Sequence, residues 1–141
     1  MNVLISACLL GQYCRYDGQT KVCPQVQDLL GRDDIHLIPV CPEQAGGLAT
    51  PRPPAERQGE RVVTADGTDV TAQYRRGAEA ALYLARLFHC TKAILKEKSP
   101  SCGHGQIYDG TFSRTLTAGD GVTAALLRAE GLEIIGESDL L

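Results

Sequence analysis

Cys8, Cys41 and Cys102 each lie at or just past the end of a short apolar run, flanked by loop residues and by groups able to do chemistry. Parallel strands of an open α/β sheet bring their carboxyl ends together, so thiols this far apart in sequence can converge on one site. None of the six cysteines stands at a CxxC spacing, which argues against a zinc ribbon or a thioredoxin-type redox pair. Three dispersed thiolates suit either of two centres. They can bind zinc with His36, His104 or a water as the remaining ligand, or hold three irons of a 4Fe-4S cluster and leave the fourth open. Spacing alone does not separate these.

Other groups surround the thiols. Glu43 follows Cys41 by two residues, behind Pro42, and a carboxylate fixed beside a metal can serve as general base or hold a water. Ser99 and Ser101 bracket Pro100, and Gly103 and Gly105 follow, so this loop offers hydroxyls and amides to whatever binds at Cys102. Arg15, Arg52, Arg57 and Arg61 fall in loops, where a guanidinium can hold an anionic or carbonyl group. Cys14, Cys23 and Cys90 are expected to be packing residues, Cys90 closing the longest helix.

The elements that must position these groups follow from the apolar pattern. Asn2 to Ala7 reads as a buried strand and Ile35 to Val40 as a second, stopped by Cys41-Pro42. Between them a short helix is expected after Pro24, with Val26, Leu29 and Leu30 on one face and Gly31 ending it. Pro42 to Gln58 holds four prolines and an adjacent glycine pair, and is expected to be a long loop without regular structure over most of its length. Val62 to Thr64 reads as a short strand. From Asp69 the recurrence of Val70, Tyr74, Gly77, Ala78, Ala81, Leu82, Ala85 and Phe88 predicts the main covering helix, capped by Asp69 or Thr71. Lys92 to Leu95 is a third strand, opening into a Ser, Gly and Pro-rich loop. Val122 to Ala129 is a helix ended by Gly131, and Leu132 to Ile135 a last strand. Strands alternating with helices predict an α/β fold: one domain over residues 1–141, a mostly parallel, right-handed sheet flanked by helices, Rossmann-like in organisation.

The bulk properties agree with an ordinary enzyme-sized domain. With 14 Lys and Arg against 17 Asp and Glu, the net charge of -3 provides no general field for polyanions. No run approaches the roughly 18 apolar residues needed to span a bilayer, and the apolar N-terminus lacks basic residues ahead of it. A cytoplasmic location is expected. In that reducing compartment six cysteines point to metal binding or catalysis before disulfides.

Read in order, the motifs SACLLG, RYDG, VCPEQAGGLATPRPP, GTDVT, GAEAAL, KEKSPSCG, IYDGTF and GDGVTAALL resemble the thiouracil and thiouridine desulfidases, from about Ser6 to Gly131. The resemblance implies an oxygen-sensitive [4Fe-4S] cluster held by Cys8, Cys41 and Cys102, with the fourth iron open to the thiocarbonyl sulfur of a thiolated pyrimidine. It implies a non-redox hydrolysis of 2-thiouracil, 4-thiouracil or 4-thiouridine to the oxo form with release of sulfide. Glu43 matches the carboxylate expected to activate water and Ser101 the hydroxyl that hydrogen-bonds substrate or relays a proton. Ser99 and Arg15 are the expected substrate contacts. A small thiolated base or nucleoside is favoured over intact tRNA, because the extra helical domain of some relatives is missing and the charge is acidic. Two alternatives to this reading are a zinc hydrolase acting on a heterocycle and a non-catalytic iron-sulfur or thiolated-RNA binding module.

Overall fold

The computed structural model describes residues 1–140. Strand β1 (Asn2–Ser6) runs into one turn of 3-10 helix (Ala7–Leu10), and a long loop leads to α1 (Pro24–Leu30) and β2 (His36–Val40). Helix α2 (Pro42–Ala45) follows at once, then the hairpin β3 (Ala55–Gln58) and β4 (Arg61–Thr64), and α3 (Thr71–Leu87). Strand β5 (Lys92–Leu95), the small hairpin β6 (Gln106–Tyr108) and β7 (Leu116–Ala118), α4 (Val122–Ala129) and β8 (Glu133–Gly136) complete the order, with a last 3-10 turn at Glu137–Leu140.

Four strands form one parallel sheet in the order β2-β1-β5-β8. Chain progression reverses direction between β1 and β5, which makes the crevice beyond their carboxyl ends the topological switch point. The side-chain period of two splits the strands cleanly. Val3, Ile5 and Ile94 pack on one face with Val26 of α1, while Leu4, Ala93 and Leu95 pack on the other with Ala81, Leu82 and Ala85 of α3 and Ala124 and Leu127 of α4. Full burial of each large aliphatic side chain here contributes roughly 1.5–3 kcal/mol.

The expected strands and helices are present, and the α/β class with a parallel sheet is as the sequence pattern predicts. Three expectations are corrected. The Pro42 to Gln58 stretch contains α2 and β3, and the loop after β5 contains the β6–β7 hairpin. Strand β1 ends one residue early, because Ala7 begins the 3-10 turn. Proline at the first position of α2 is compatible with a helix, since its missing N–H has no intrahelical partner there.

Two glycines bring α2 against α3. A Cβ on Gly77 would stand 1.9 Å from the Pro42 carbonyl oxygen, and one on Gly46 would stand 2.0 Å from that of Gln73. The helices therefore touch backbone to backbone, which pins the Cys41-Pro42-Glu43 segment to the longest helix of the molecule.

Candidate active site

Three strand ends supply the site. Cys8 lies two residues past β1 in the 3-10 turn, Cys41 directly follows β2 as the residue before α2, and Cys102 sits in the loop after β5. The first loop folds back over Cys8, whose carbonyl accepts the amides of Gly11 and Lys21 and the Thr20 hydroxyl. This return carries Cys14 inward, where it is buried in the same core cluster as Cys8. The Cys41 thiol points to the Cys14 carbonyl at 3.6 Å. Cys102 is fully enclosed beside Ser6 and Ser101 and within electrostatic reach of Cys41 and Glu43.

The Cys14, Cys41 and Cys102 thiols are all raised above their ordinary range. Burial pushes the Cys102 thiol up to about 12; hydrogen bonds from Ser6 and Ser101 oppose the rise, while Glu43 and Cys41 add to it. For Cys14 the hydrogen bond from Cys41 pulls downward but is outweighed by the bond to Cys8 and by burial, leaving it at about 11. Cys41 is raised further, by its bond to Cys14 and then by burial. Binding a metal centre would displace these protons, because thiolate is the ligating form.

Glu43 opens α2 and is held by Arg52. Arg52 Nε and Nη2 each stand 2.9 Å from Glu43 Oε2, with the Arg52 side chain only 6% and the Glu43 side chain 14% exposed. Both contacts fall on one carboxylate oxygen. Arg52 Nη2 also donates to the Cys14 carbonyl at 2.8 Å, Nη1 donates to Ala49 O and Thr50 Oγ1, and the Arg52 amide donates to Tyr16 O. One guanidinium thus locks the carboxylate, the Thr50 loop and the Cys14 loop together. Tyr74 of α3 is buried near Glu43; burial first, and then that carboxylate, hold its hydroxyl protonated well above the ordinary tyrosine range.

The Cys102 loop is built on α4. Ser99 Oγ accepts the amides of Ser101 and Cys102, both at 3.1 Å, so this hydroxyl shapes its own turn. Amides at the start of α4 satisfy the Pro100 and Ser101 carbonyls, and Gly121 packs so close that a Cβ would lie 2.4 Å from Ser101 O. Ser101 is wholly buried, its hydroxyl 2.8 Å from Thr123 Oγ1 and 3.9 Å from Cys102 Sγ. Ser6 Oγ accepts the Lys96 amide at 2.9 Å, tying β1 and the end of β5 together at the switch point.

Arg15 stands on a loop bordering this edge, and the remaining candidates lie elsewhere. Arg15 is partly exposed, 3.7 Å from Asp17 and over the Tyr16 ring, on the loop that carries Cys14. His36 begins β2 and so stands at the opposite edge of the sheet from Cys41. His104 is engaged by Arg128 at 2.6 Å and lies 3.8 Å from Asp139. Neither histidine joins the thiols, which leaves a water as the remaining ligand considered for a zinc centre. Cys23 donates to Gln25 at the start of α1, and Cys90 is in the core ahead of β5, as expected of packing residues. Cys14 is likewise buried in the core, and its carbonyl is reached by Arg52 Nη2 and by the Cys41 thiol. Its position beside the RYDG turn was visible in the sequence, but its meeting with Cys41 is a tertiary contact. Arg52 was one loop arginine among several, and no local signal sets it apart.

Fold and site together define a parallel α/β domain that gathers thiols, a buried carboxylate and hydroxyls at its switch point. The chain belongs to the family described as 2-thiouracil desulfurase, which it matches over residues 3–139. It is similar to the "Uncharacterized protein YbbK" of Bacillus subtilis (strain 168), with 43% identity over 148 residues, covering 98% of this chain and 97% of that protein. Among solved structures it is similar to the "[4Fe-4S]-dependent thiouracil desulfidase TudS", with a TM-score of 0.93 and 53% identity over 99% of this chain and 92% of that one.

Proposed function

We propose that this chain is a [4Fe-4S]-dependent desulfidase that exchanges the thiocarbonyl sulfur of 2-thiouracil, 4-thiouracil or 4-thiouridine for oxygen, without net redox change. What supports it is that Cys8, Cys41 and Cys102 follow β1, β2 and β5 at the carboxyl edge of the sheet, with Glu43 two residues after Cys41 in α2. Among the described residues no three His, Cys, Asp or Glu side chains are close enough to hold a single metal ion. A lone zinc with bonds of about 2.3 Å to sulfur would demand that closeness, whereas a polynuclear centre spreads its thiol ligands wider. The all-thiol donor set therefore suits iron and sulfide.

In this reading Cys8, Cys41 and Cys102 hold the cluster, whose thiolate-ligated iron supplies a soft Lewis acid for the substrate sulfur. The rest falls to the chain's own side chains. Glu43, buried and oriented by Arg52, takes a proton from the attacking water through its carboxylate. Tyr74, kept protonated by burial and by that carboxylate, adds no competing charge beside it. Ser101, packed against Thr123 and Cys102, is the hydroxyl that relays a proton to the departing sulfur. Arg15 and Ser99 contact the pyrimidine from the two loops that frame the site. Overall, C=S and water become C=O and hydrogen sulfide.

The small substrate is a free base or nucleoside. The test is anaerobic reconstitution followed by assays of iron, acid-labile sulfide and sulfide release from 2-thiouracil and 4-thiouridine. Stoichiometric cluster and catalytic sulfide release are expected. A reconstituted protein that binds these compounds without turning them over would overturn the enzymatic reading in favour of a binding module.

A further inference from the structure

Arg15, Arg52, Arg57 and Arg61 look equivalent in the sequence, yet among the described residues only Arg52 pairs with Glu43. Its side chain is 6% exposed, against 28%, 21% and 61% for the other three. A guanidinium carries five N–H groups and no acceptor. Nε and Nη2 meet Glu43 Oε2, Nη2 also meets Cys14 O, and Nη1 meets Ala49 O and Thr50 Oγ1. Five contacts match five N–H groups, so none is left for a substrate.

Arginine usually grips a carboxylate fork against fork, one donor to each oxygen. Here both contacts fall on Oε2, at 2.9 Å each. Among the described residues Oε1 accepts no hydrogen bond, and the one side-chain oxygen buried without a partner is Glu137 Oε2, so Glu43 Oε1 opens to solvent. The two oxygens of one carboxylate are therefore in unlike surroundings.

Resting on the desulfidase reading, we infer that Arg52 is a positioning residue that divides this carboxylate: Oε2 holds the geometry, and Oε1 takes the proton from water. Two charge-assisted donors fill the lone pairs of Oε2, so a water can hydrogen-bond only through Oε1. There the O–H bond breaks, the proton passes to Oε1 and the water oxygen bonds the thiocarbonyl carbon. The carboxylate is restored when that proton leaves with the sulfur, and no electron is gained or lost overall.

The same guanidinium braces what lies on either side. Its grip on Cys14 O, with the Arg52 amide on Tyr16 O, fixes the first loop, while Ala49 O and Thr50 Oγ1 fix the loop that leads to β3. Thr50 Oγ1 also accepts Gln44 Nε2 at 2.7 Å, which closes the bracing back onto α2, the helix that carries Glu43. A lysine here keeps the charge but has one nitrogen, and cannot span these acceptors.

The test compares wild type, Arg52→Lys, Arg52→Ala and Glu43→Gln. Backbone hydrogen exchange over residues 12–20 is followed by mass spectrometry before and after anaerobic reconstitution, and kcat and KM for 2-thiouracil are measured with and without methylguanidine as probe. Arg52→Lys should exchange this loop about tenfold faster and lower kcat about tenfold, with KM within about twofold of wild type. Glu43→Gln should keep the exchange of wild type, because its amide oxygen still accepts from Arg52, while its kcat falls. Methylguanidine should raise kcat of Arg52→Ala about tenfold and leave Glu43→Gln unchanged. Should Arg52→Ala not fold, since it leaves a buried carboxylate unpaired, Arg52→Lys and Glu43→Gln decide the matter. A raised KM with kcat intact in Arg52→Lys would make Arg52 a substrate contact. Exchange as fast in Glu43→Gln as in Arg52→Lys would mean that both oxygens hold the loop. Either result overturns the inference and leaves the desulfidase reading standing, whereas a wild type that releases no sulfide sinks both.

Discussion

The two ends of the parallel sheet carry similar residue types and put them to different use. At the amino edge are His36, Cys90 and Asn2, whose side-chain amide closes on Phe88 O at 2.8 Å. At the carboxyl edge are Cys8, Cys14, Cys41 and Cys102 with Glu43 and Arg52. His36 is exposed and Cys90 packs singly in the core, so neither meets a second ligating group. The carboxyl edge differs because each strand there opens into a loop that turns back over the sheet, as parallel strands at a switch point do. Convergence, more than cysteine content, separates a reactive end from an inert one.

The largest break comes from the thiols themselves. Replacing Cys8, Cys41 or Cys102 singly by Ser should abolish iron retention after anaerobic desalting, and sulfide release with it. Retention of full iron by any of the three would remove that residue from the ligand set. Backbone contact at the same edge comes next. Gly77→Ala drives a methyl group into the Pro42 carbonyl, and neither backbone can yield without moving Cys41 and Glu43. A loss of about 3 kcal/mol in urea unfolding is expected, together with poor iron uptake. At the other edge Gly131→Ala meets no atom within 4 Å and carries only the strain of its φ of 94°, costing about 1 kcal/mol with iron unaffected.

The contrast between the edges was legible in the sequence only in outline. Lys92–Leu95 and Val122–Ala129 fall where the apolar pattern and the Gly131 stop put them, because long periodic runs report burial directly. Helix α2 escaped notice since it is a single turn among prolines, stabilised by the Gly46 and Gly77 contact with α3, a contact no local pattern encodes. Cys102, Cys41 and Cys8 were found by their place after apolar runs. Cys14 and Arg52 were not singled out, because what distinguishes them is a hydrogen bond across 38 residues. Ser99 and Ser101 look alike in the sequence, yet one shapes its turn and the other is sealed against Thr123.

Within the carboxyl edge, the carboxylate and its partner divide holding from reacting. Glu43→Gln keeps the shape of the side chain and removes its basicity. It should retain iron and lower kcat by about 10²–10⁴-fold. Iron loss in this variant would recast Glu43 as support for the centre. Arg52→Lys keeps a buried charge against Glu43, but a single ammonium cannot also reach Cys14 O, Ala49 O and Thr50 Oγ1 in the fork geometry of arginine. Activity about tenfold below wild type is expected, in kcat more than KM, with iron unchanged. Equal falls in Arg52→Lys and Glu43→Gln would mean that the ion pair, and not the link to the Cys14 loop, is what matters.

The smallest effect belongs at the amino edge. Cys90 is buried ahead of β5, its thiol raised above the ordinary range by burial alone. Cys90→Ala therefore removes one sulfur from the core and nothing from the site. A stability loss of about 1 kcal/mol, the scale of a small core deletion, is expected in urea unfolding. Iron content, acid-labile sulfide and sulfide release should equal those of wild type. Iron lost from Cys90→Ala as from Cys41→Ser would show that the cysteines support the centre through general packing of the domain. The division between the two edges rests on that not happening, since Cys90 is as buried as Cys8 and differs from it in the company it keeps.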